Sequence, residues 1–310
     1  MNKKLLMKFK SIIGLIVFSL IVSVLSPRFL TVSNILNVLR QTSINSIIAA
    51  GMTFVILTGG IDLSVGSTLA FCGAVCAYFI SAGMSVFLAV TIALAIGALV
   101  GLFSGIIISK GKVQPFIATL VTMTVLRGAT LVFTNGKPIT LGSDKASEVF
   151  SKIGAGYFLG IPIPVYLMVL VFMIAYYVLT QTRIGRYVYA LGGNEEASKL
   201  SGLNVSKIKL SVYAISGMLA ALAGVVITAR LSSANPNAGA GYELDAIAAV
   251  VLGGTSLAGG AGSILGTIIG ALIIGILSNA LNLLDVSSYY QMIAKGAVIL
   301  IAVLADRKEK

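Results

Sequence analysis

The sequence predicts an all-α polytopic membrane protein of about ten transmembrane helices, some of them short or broken. Three observations lead there. Charged residues make up 10% of the 310-residue chain and hydrophobic residues 57%, whereas a water-facing domain carries about a quarter charged. The mean hydropathy is +1.03. Apolar runs able to cross a bilayer recur along nearly the whole length.

In order, the runs fall at 11–26, 44–60, 65–82, 84–108, 115–134, 162–180, 210–229, 246–258, 262–284 and 288–305. Lys3, Lys4, Lys8 and Lys10 precede the first run as in a signal peptide. Pro27 follows it at once, however, with no A-x-A-like cleavage site, so we read an uncleaved span. The eighth run is short enough to be re-entrant or partly unwound. The chain reads as one transmembrane domain, 1–310, with a polar loop at about 181–209.

Orientation follows from the basic residues. With the N-terminus inside, the inner segments hold Lys3, Lys4, Lys8, Lys10, Lys110, Lys112, Arg183, Arg186, Lys199, Lys207, Lys209, Arg307, Lys308 and Lys310. The outer loops hold Arg28, Arg40, Lys137, Lys145, Lys152 and Arg230; Arg127 and Lys295 fall within spans. The positive-inside rule then places both termini and the 181–209 loop in the cytoplasm.

That loop contains a short self-capped helix. Gly192 and Gly193 are expected to break the chain, and Asn194 to act as N-cap, with Glu195 and Glu196 in the first turn where the helix dipole favours negative charge. Lys199 lies four residues after Glu195, on the same helix face, and Gly202 supplies a left-handed terminator. Such a helix is marginal alone. We expect a docking knob for a soluble cytoplasmic partner; the alternative is a solvated loop with an incidental turn.

Glycine serves two purposes. Gly97, Gly101 and Gly105 on one span, and Gly262, Gly266 and Gly270 on another, recur every four residues, which lets helix backbones approach closely. Packing within the bundle is preferred over a dimer interface. The stretches 59–66 (GGIDLSVG) and 253–262 (GGTSLAGGAG) instead interrupt helices, and unwound backbone at membrane depth must be buried by protein or reached by water. Both breaks suggest a cavity or a span end near the cytoplasmic face. Segments 59–66 and 246–258 are candidates for re-entrant stretches, and the two regions resemble each other as an internal repeat would. Asp62, Ser64, Thr255 and Ser256 lie in them and are candidates for a translocation path. Asp62 reads first as a cap for the next helix and second as a substrate or proton site, and Arg127 and Lys295 could pair with it or snorkel to an interface. The outer loop from Arg230 to Asp245 is polar and glycine-rich, and it reads equally as a pore mouth or seat for an extracytoplasmic partner and as a plain connector.

Several chemistries are excluded. The net charge of +12 is scattered over loops, which argues against nucleic acid. Histidine is absent, and no GxxxxGK[ST] phosphate loop occurs. Cys72 and Cys76 sit at helical spacing in an apolar run and read as small buried hydrophobes. No nucleophile–base or metal constellation suggests an enzyme.

From about Ser26 onward the chain resembles the permease subunits of bacterial ABC sugar importers. The stretches that carry the resemblance are SPRFLTVSNILNVLRQTSINSIIAAGMTFVILTGGIDLSVGS, VQPFIATLVTM with Arg127-Gly128, and TRIGRYVYALGGNEEASKLSGLNVSKIKL. The most specific is ARLSSANPNAGAGYELDAIAAVVLGGTSLAGGAGSILGTIIGALIIG, continued by NALNLLDVSSYYQMI. The resemblance implies two permease copies in a bacterial inner membrane, a cytoplasmic subunit that binds ATP and Mg, and an extracytoplasmic sugar-binding protein. No cofactor is expected in this chain. It also implies a coupling element on Gly192, Gly193, Asn194, Glu195, Glu196, Ala197 and Ser198. The expected cargo is ribose, with xylose, galactose or an autoinducer-type sugar as alternatives. An ion-coupled transporter using Asp62, or a non-transporting scaffold, are the readings from other classes.

Overall fold

The computed structural model describes residues 10–307. Lys3, Lys4, Lys8, Lys308 and Lys310, part of the charge argument above, lie outside the described residues. The helices are α1 (Lys10–Leu25), α2 (Val32–Leu57), α3 (Val65–Ser81), α4 (Val86–Ser109), α5 (Pro115–Thr134), α6 (Lys145–Ala155), α7 (Ile163–Gln181), α8 (Arg183–Gly193), α9 (Glu195–Leu200), α10 (Val205–Leu231), α11 (Tyr242–Leu252), α12 (Ile264–Leu283) and α13 (Ser288–Arg307). Two short antiparallel pairings join loops at one end of the bundle. β1 (Ile139–Thr140) pairs with β4 (Ser233–Ala234), and β2 (Tyr157–Phe158) pairs with β3 (Ile161–Pro162).

Each of the ten expected runs coincides with a helix. Among the described residues, α4, α5, α7, α10 and α12 are long and apolar enough to cross a membrane by length and composition alone; α3 and the Ile13–Leu25 part of α1 are shorter apolar helices. The second run starts well before the expected position 44. Its polar first turns are held by protein: Asn34 and Asn279 exchange amide hydrogen bonds of 2.9 Å, and the Arg40 guanidinium lies 4.6 Å from the centre of the Tyr157 ring. The eighth run ends at Leu252, six residues before its expected limit, because Gly253 to Gly262 leave the helix.

From Thr42 to Leu57 nearly every residue of α2 is buried, making it the centre of the bundle. α10 packs beside it and runs antiparallel to α4 through the first glycine row. A Cβ on Gly97 or Gly101 would collide with backbone at Gly217 or Tyr213, and one on Gly105 would lie 3.1 Å from Leu210 Cα. The second row faces α11 and the second break: Gly266 abuts Gly253, Gly270 abuts Ala249, and Gly262 abuts Thr255. These close approaches replace the hydrophobic effect, which gives no drive between helices in lipid. Cys72 and Cys76 are buried and free.

Three helices lie outside the apolar runs. α6 is capped by Asp144, whose carboxylate accepts from the backbone N–H groups of Ala146 and Ser147 and from the Ser147 hydroxyl. These bonds favour the charged form and hold its carboxyl below the usual carboxylate range. α8 and α9 occupy the 181–209 loop at the opposite end of the bundle.

Candidate functional site

Thr182 begins the loop as N-cap of α8, its Oγ1 accepting from the Gly185 N–H at 3.3 Å. Gly185 lies against the carbonyl of Leu179, so the chain turns sharply off the end of α7. α8 buries Gly185, Val188 and Leu191 and turns Arg183, Arg186 and Tyr187 outward. Apolar residues at 184, 188 and 191 carried a helical spacing that the search for long spans passed over.

The chain does not break at Gly192 and Gly193, as expected from their flexibility. Both belong to the last turn of α8, and the break falls at Asn194, which is extended (φ −161°, ψ 109°). Asn194 then caps α9, its Oδ1 accepting from the Ala197 N–H at 2.9 Å. Gly202 follows with φ +83°. Glu195 pairs with Lys209 of α10, at 2.7 and 2.8 Å, rather than with Lys199 of its own helix. A cation on the neighbouring helix reaches both carboxylate oxygens, which an i,i+4 neighbour on so short a helix rarely does. Glu195, Glu196 and Ala197 remain exposed, Ser198 is buried, and Leu200 is 89% exposed.

Gly192 explains itself by close approach. A Cβ there would overlap the carbonyl oxygen of Leu57, the last residue of α2. That same carbonyl accepts from the Gly260 N–H at 2.9 Å. A Cβ on Gly259 would lie 2.8 Å from Gly59 N and 3.0 Å from Gly192 O, and one on Gly260 would lie 2.8 Å from Gly193 N. The end of α8 and both glycine breaks therefore meet backbone to backbone. Tyr189 clamps the joint, its hydroxyl donating to the Gly262 carbonyl at 3.0 Å. Burial pushes this phenol above its ordinary pKa. Sequence reasoning found the three glycine pairs but neither their convergence nor Tyr189.

Deeper in the first break, Asp62 is 1% exposed. Its Oδ1 accepts from the Ser64 N–H (3.0 Å) and Ser64 hydroxyl (2.6 Å), and its Oδ2 from the Ser216 hydroxyl of α10 (2.8 Å). Neither of the expected cations reaches it. Lys295 pairs with Asp245 at 2.8 Å, where Asn45 also donates, and Arg127 donates to the carbonyls of Pro236 and Ala238 at 2.7 and 2.9 Å. Arg127 thereby holds the loop 232–241, which reaches inward until Gly239 touches Gly66 at the start of α3. In the second break, the Thr255 hydroxyl is buried and unpartnered, and the Ser256 hydroxyl accepts from the Ala258 N–H at 3.3 Å. The Asp62–Ser64 pair and the Thr255–Ser256 pair form separate clusters, both buried in this conformation.

Glycine breaks that carry buried polar side chains within a bundle of apolar helices, joined at one end to a short helix pair, are the marks of a multi-pass membrane permease. The family model described as "Branched-chain amino acid transport system / permease component" matches residues 34–303, and the chain belongs to that family. It is similar to the ribose import permease protein of Haemophilus influenzae, 62% identical over 98% of this chain and 94% of the relative. The ribose import permease protein of Bacillus subtilis is 56% identical over 96% of this chain and 92% of its own length. The D-allose transport system permease protein of Escherichia coli is 43% identical over 91% and 86%. No solved structure matches the chain.

Proposed function

We propose that this chain is the permease subunit of an ATP-binding-cassette importer that carries a monosaccharide, ribose first, across the bacterial inner membrane. Two copies would form the path. An extracytoplasmic binding protein delivers the sugar, and a separate cytoplasmic subunit binds ATP and Mg. Ribose is favoured because relatives named for it match at 56–62% identity, against 43% for the D-allose relative.

The observation that carries the coupling role is the backbone joint between α8 and the two breaks. A soluble motor can act on a membrane path only through a stiff element that reaches both. α9 offers the exposed side: Glu195, Glu196 and the unshielded Leu200 stand where a partner can hold them. Loops with few packing duties are where such contacts are placed. ATP binding at the partner then favours one arrangement of the permease pair over the other, because the partner's affinity for α8–α9 differs between them.

The test is the double substitution Glu195→Lys with Glu196→Lys. Labelled ribose uptake in a strain lacking the native permease should fall by roughly tenfold or more, the effect of losing about 1.4 kcal/mol at a docking contact. Membrane abundance should be unchanged. Adding Lys209→Glu restores the internal pair with residue 195; uptake should stay low if a partner reads this surface. Normal uptake and normal sugar-stimulated ATP hydrolysis in the double variant would refute the docking role.

A further inference from the structure

The β2–β3 hairpin, which neither the coupling site nor the breaks use, carries an anomaly at its tip. Leu159 and Gly160 both have positive φ, +48° and +77°, as in the tight turn that joins two paired strands. Asn, Asp or Gly normally takes the first of these positions, since a branched apolar side chain there is strained. Here a leucine holds it and is 83% exposed. Tyr157, Phe158 and Ile161 beside it are exposed too, and residues 154–164 contain no charge. An aromatic-aliphatic tip kept at a conformational cost needs an apolar surrounding.

We propose that this hairpin is a membrane-interface anchor, seating Phe158 and Leu159 at the boundary between lipid headgroups and acyl chains. Continuity identifies lipid as the occupant. α7 begins directly after β3, and it is long and apolar enough to span a bilayer. Its exposed stripe of Leu170, Met173, Ile174 and Tyr177 follows helical spacing and faces out of the bundle. Tyr166, at the near end of that stripe, ties the hairpin to it. Its hydroxyl donates to the Phe158 carbonyl at 3.0 Å, and the two rings meet edge to face at 5.8 Å. Tyrosine at the depth where a span begins, with an apolar body and a polar tip, suits the interfacial belt. Residues 154–164 carry no charge, and the Arg40 guanidinium over the Tyr157 ring suits the headgroup level above such a tip.

The chain contains no tryptophan, so Leu159→Trp introduces a single indole. The full chain is reconstituted into phosphatidylcholine–phosphatidylglycerol vesicles with or without phosphatidylcholine brominated near the headgroup. Emission should drop roughly twofold or more with the brominated lipid and respond weakly to iodide, as for an interfacial aromatic. Phe158→Trp gives the same readout should the first variant fail to fold. Strong iodide quenching without bromolipid quenching would overturn the proposal. So would iodide shielding that appears only when a sugar-binding protein is added, or only at high permease density, which would assign the tip to that partner or to a second copy.

Discussion

Gly192 and Gly193 are neighbours in sequence and opposites in packing. A methyl group at 192 would drive into the Leu57 carbonyl, whereas one at 193 meets nothing within 4 Å. Gly192→Ala should therefore cost about 1–3 kcal/mol through overpacking, while Gly193→Ala should stabilise α8 by up to about 1 kcal/mol. Thermal unfolding of the purified variants in detergent checks this: Tm falls for the first and holds or rises for the second. The sequence made both glycines legible as a pair but offered no way to tell them apart, since the distinguishing atom belongs to a residue 135 positions earlier (Leu57). Asp62 shows the same limit. Spacing suggests a cap on α3, but Asp62 binds Ser64, which itself holds the N-cap position, and reaches no N–H of the helix's first turn. Its third donor, Ser216, comes from α10 and left no local trace.

At the scale of elements, apolar runs fixed the spans well because lipid imposes length and hydropathy on any helix that crosses it. The misplaced boundaries are those where protein, not lipid, is the surroundings. The polar start of α2 meets Asn279 and Tyr157, although Nε and Nη2 of Arg40 stay buried without a hydrogen bond, and α11 stops early because its continuation is the second break. α6 and α8 were illegible as spans since their apolar faces are narrow and face the bundle only on one side. The loop 232–241 owes its inward position to Arg127, whose two charge-assisted bonds are each worth about 1.5–3 kcal/mol. Arg127→Gln should loosen the loop, while Arg127→Lys should loosen it less. Hydrogen exchange followed by mass spectrometry should show residues 232–241 exchanging roughly tenfold faster in the glutamine variant, the effect of about 1.4 kcal/mol. The adjoining helix α10 should be unchanged; equal loosening of α10 would mean that Arg127 serves general stability instead.

For the molecule as a whole, α8–α9 and the β2–β3 hairpin lie at opposite ends of the bundle, so a fixed orientation must place them on opposite sides of the membrane. In the proposed orientation, the excess of basic residues around α8–α9 assigns that end to the cytoplasm. With Cys72 and Cys76 fully buried, an introduced thiol reports its own exposure. In a strain lacking the ATP-binding subunit, Leu200→Cys should react with an impermeant maleimide in inside-out vesicles and stay unlabelled in intact spheroplasts. Labelling from the outer side would reverse the topology and remove the coupling reading with it.

The burial of α2 has a consequence for how the protein is made. From Thr42 onward it touches almost no lipid, and its first turns carry Arg40 and amides that hydrocarbon would reject. It emerges from the ribosome long before α10 and α12, the helices that line its sides. During synthesis its polar turns lack partners, among them Asn279 for Asn34, until those later helices arrive. The segment nearest the middle of the finished permease thus waits for its last polar partner until most of the chain has been made.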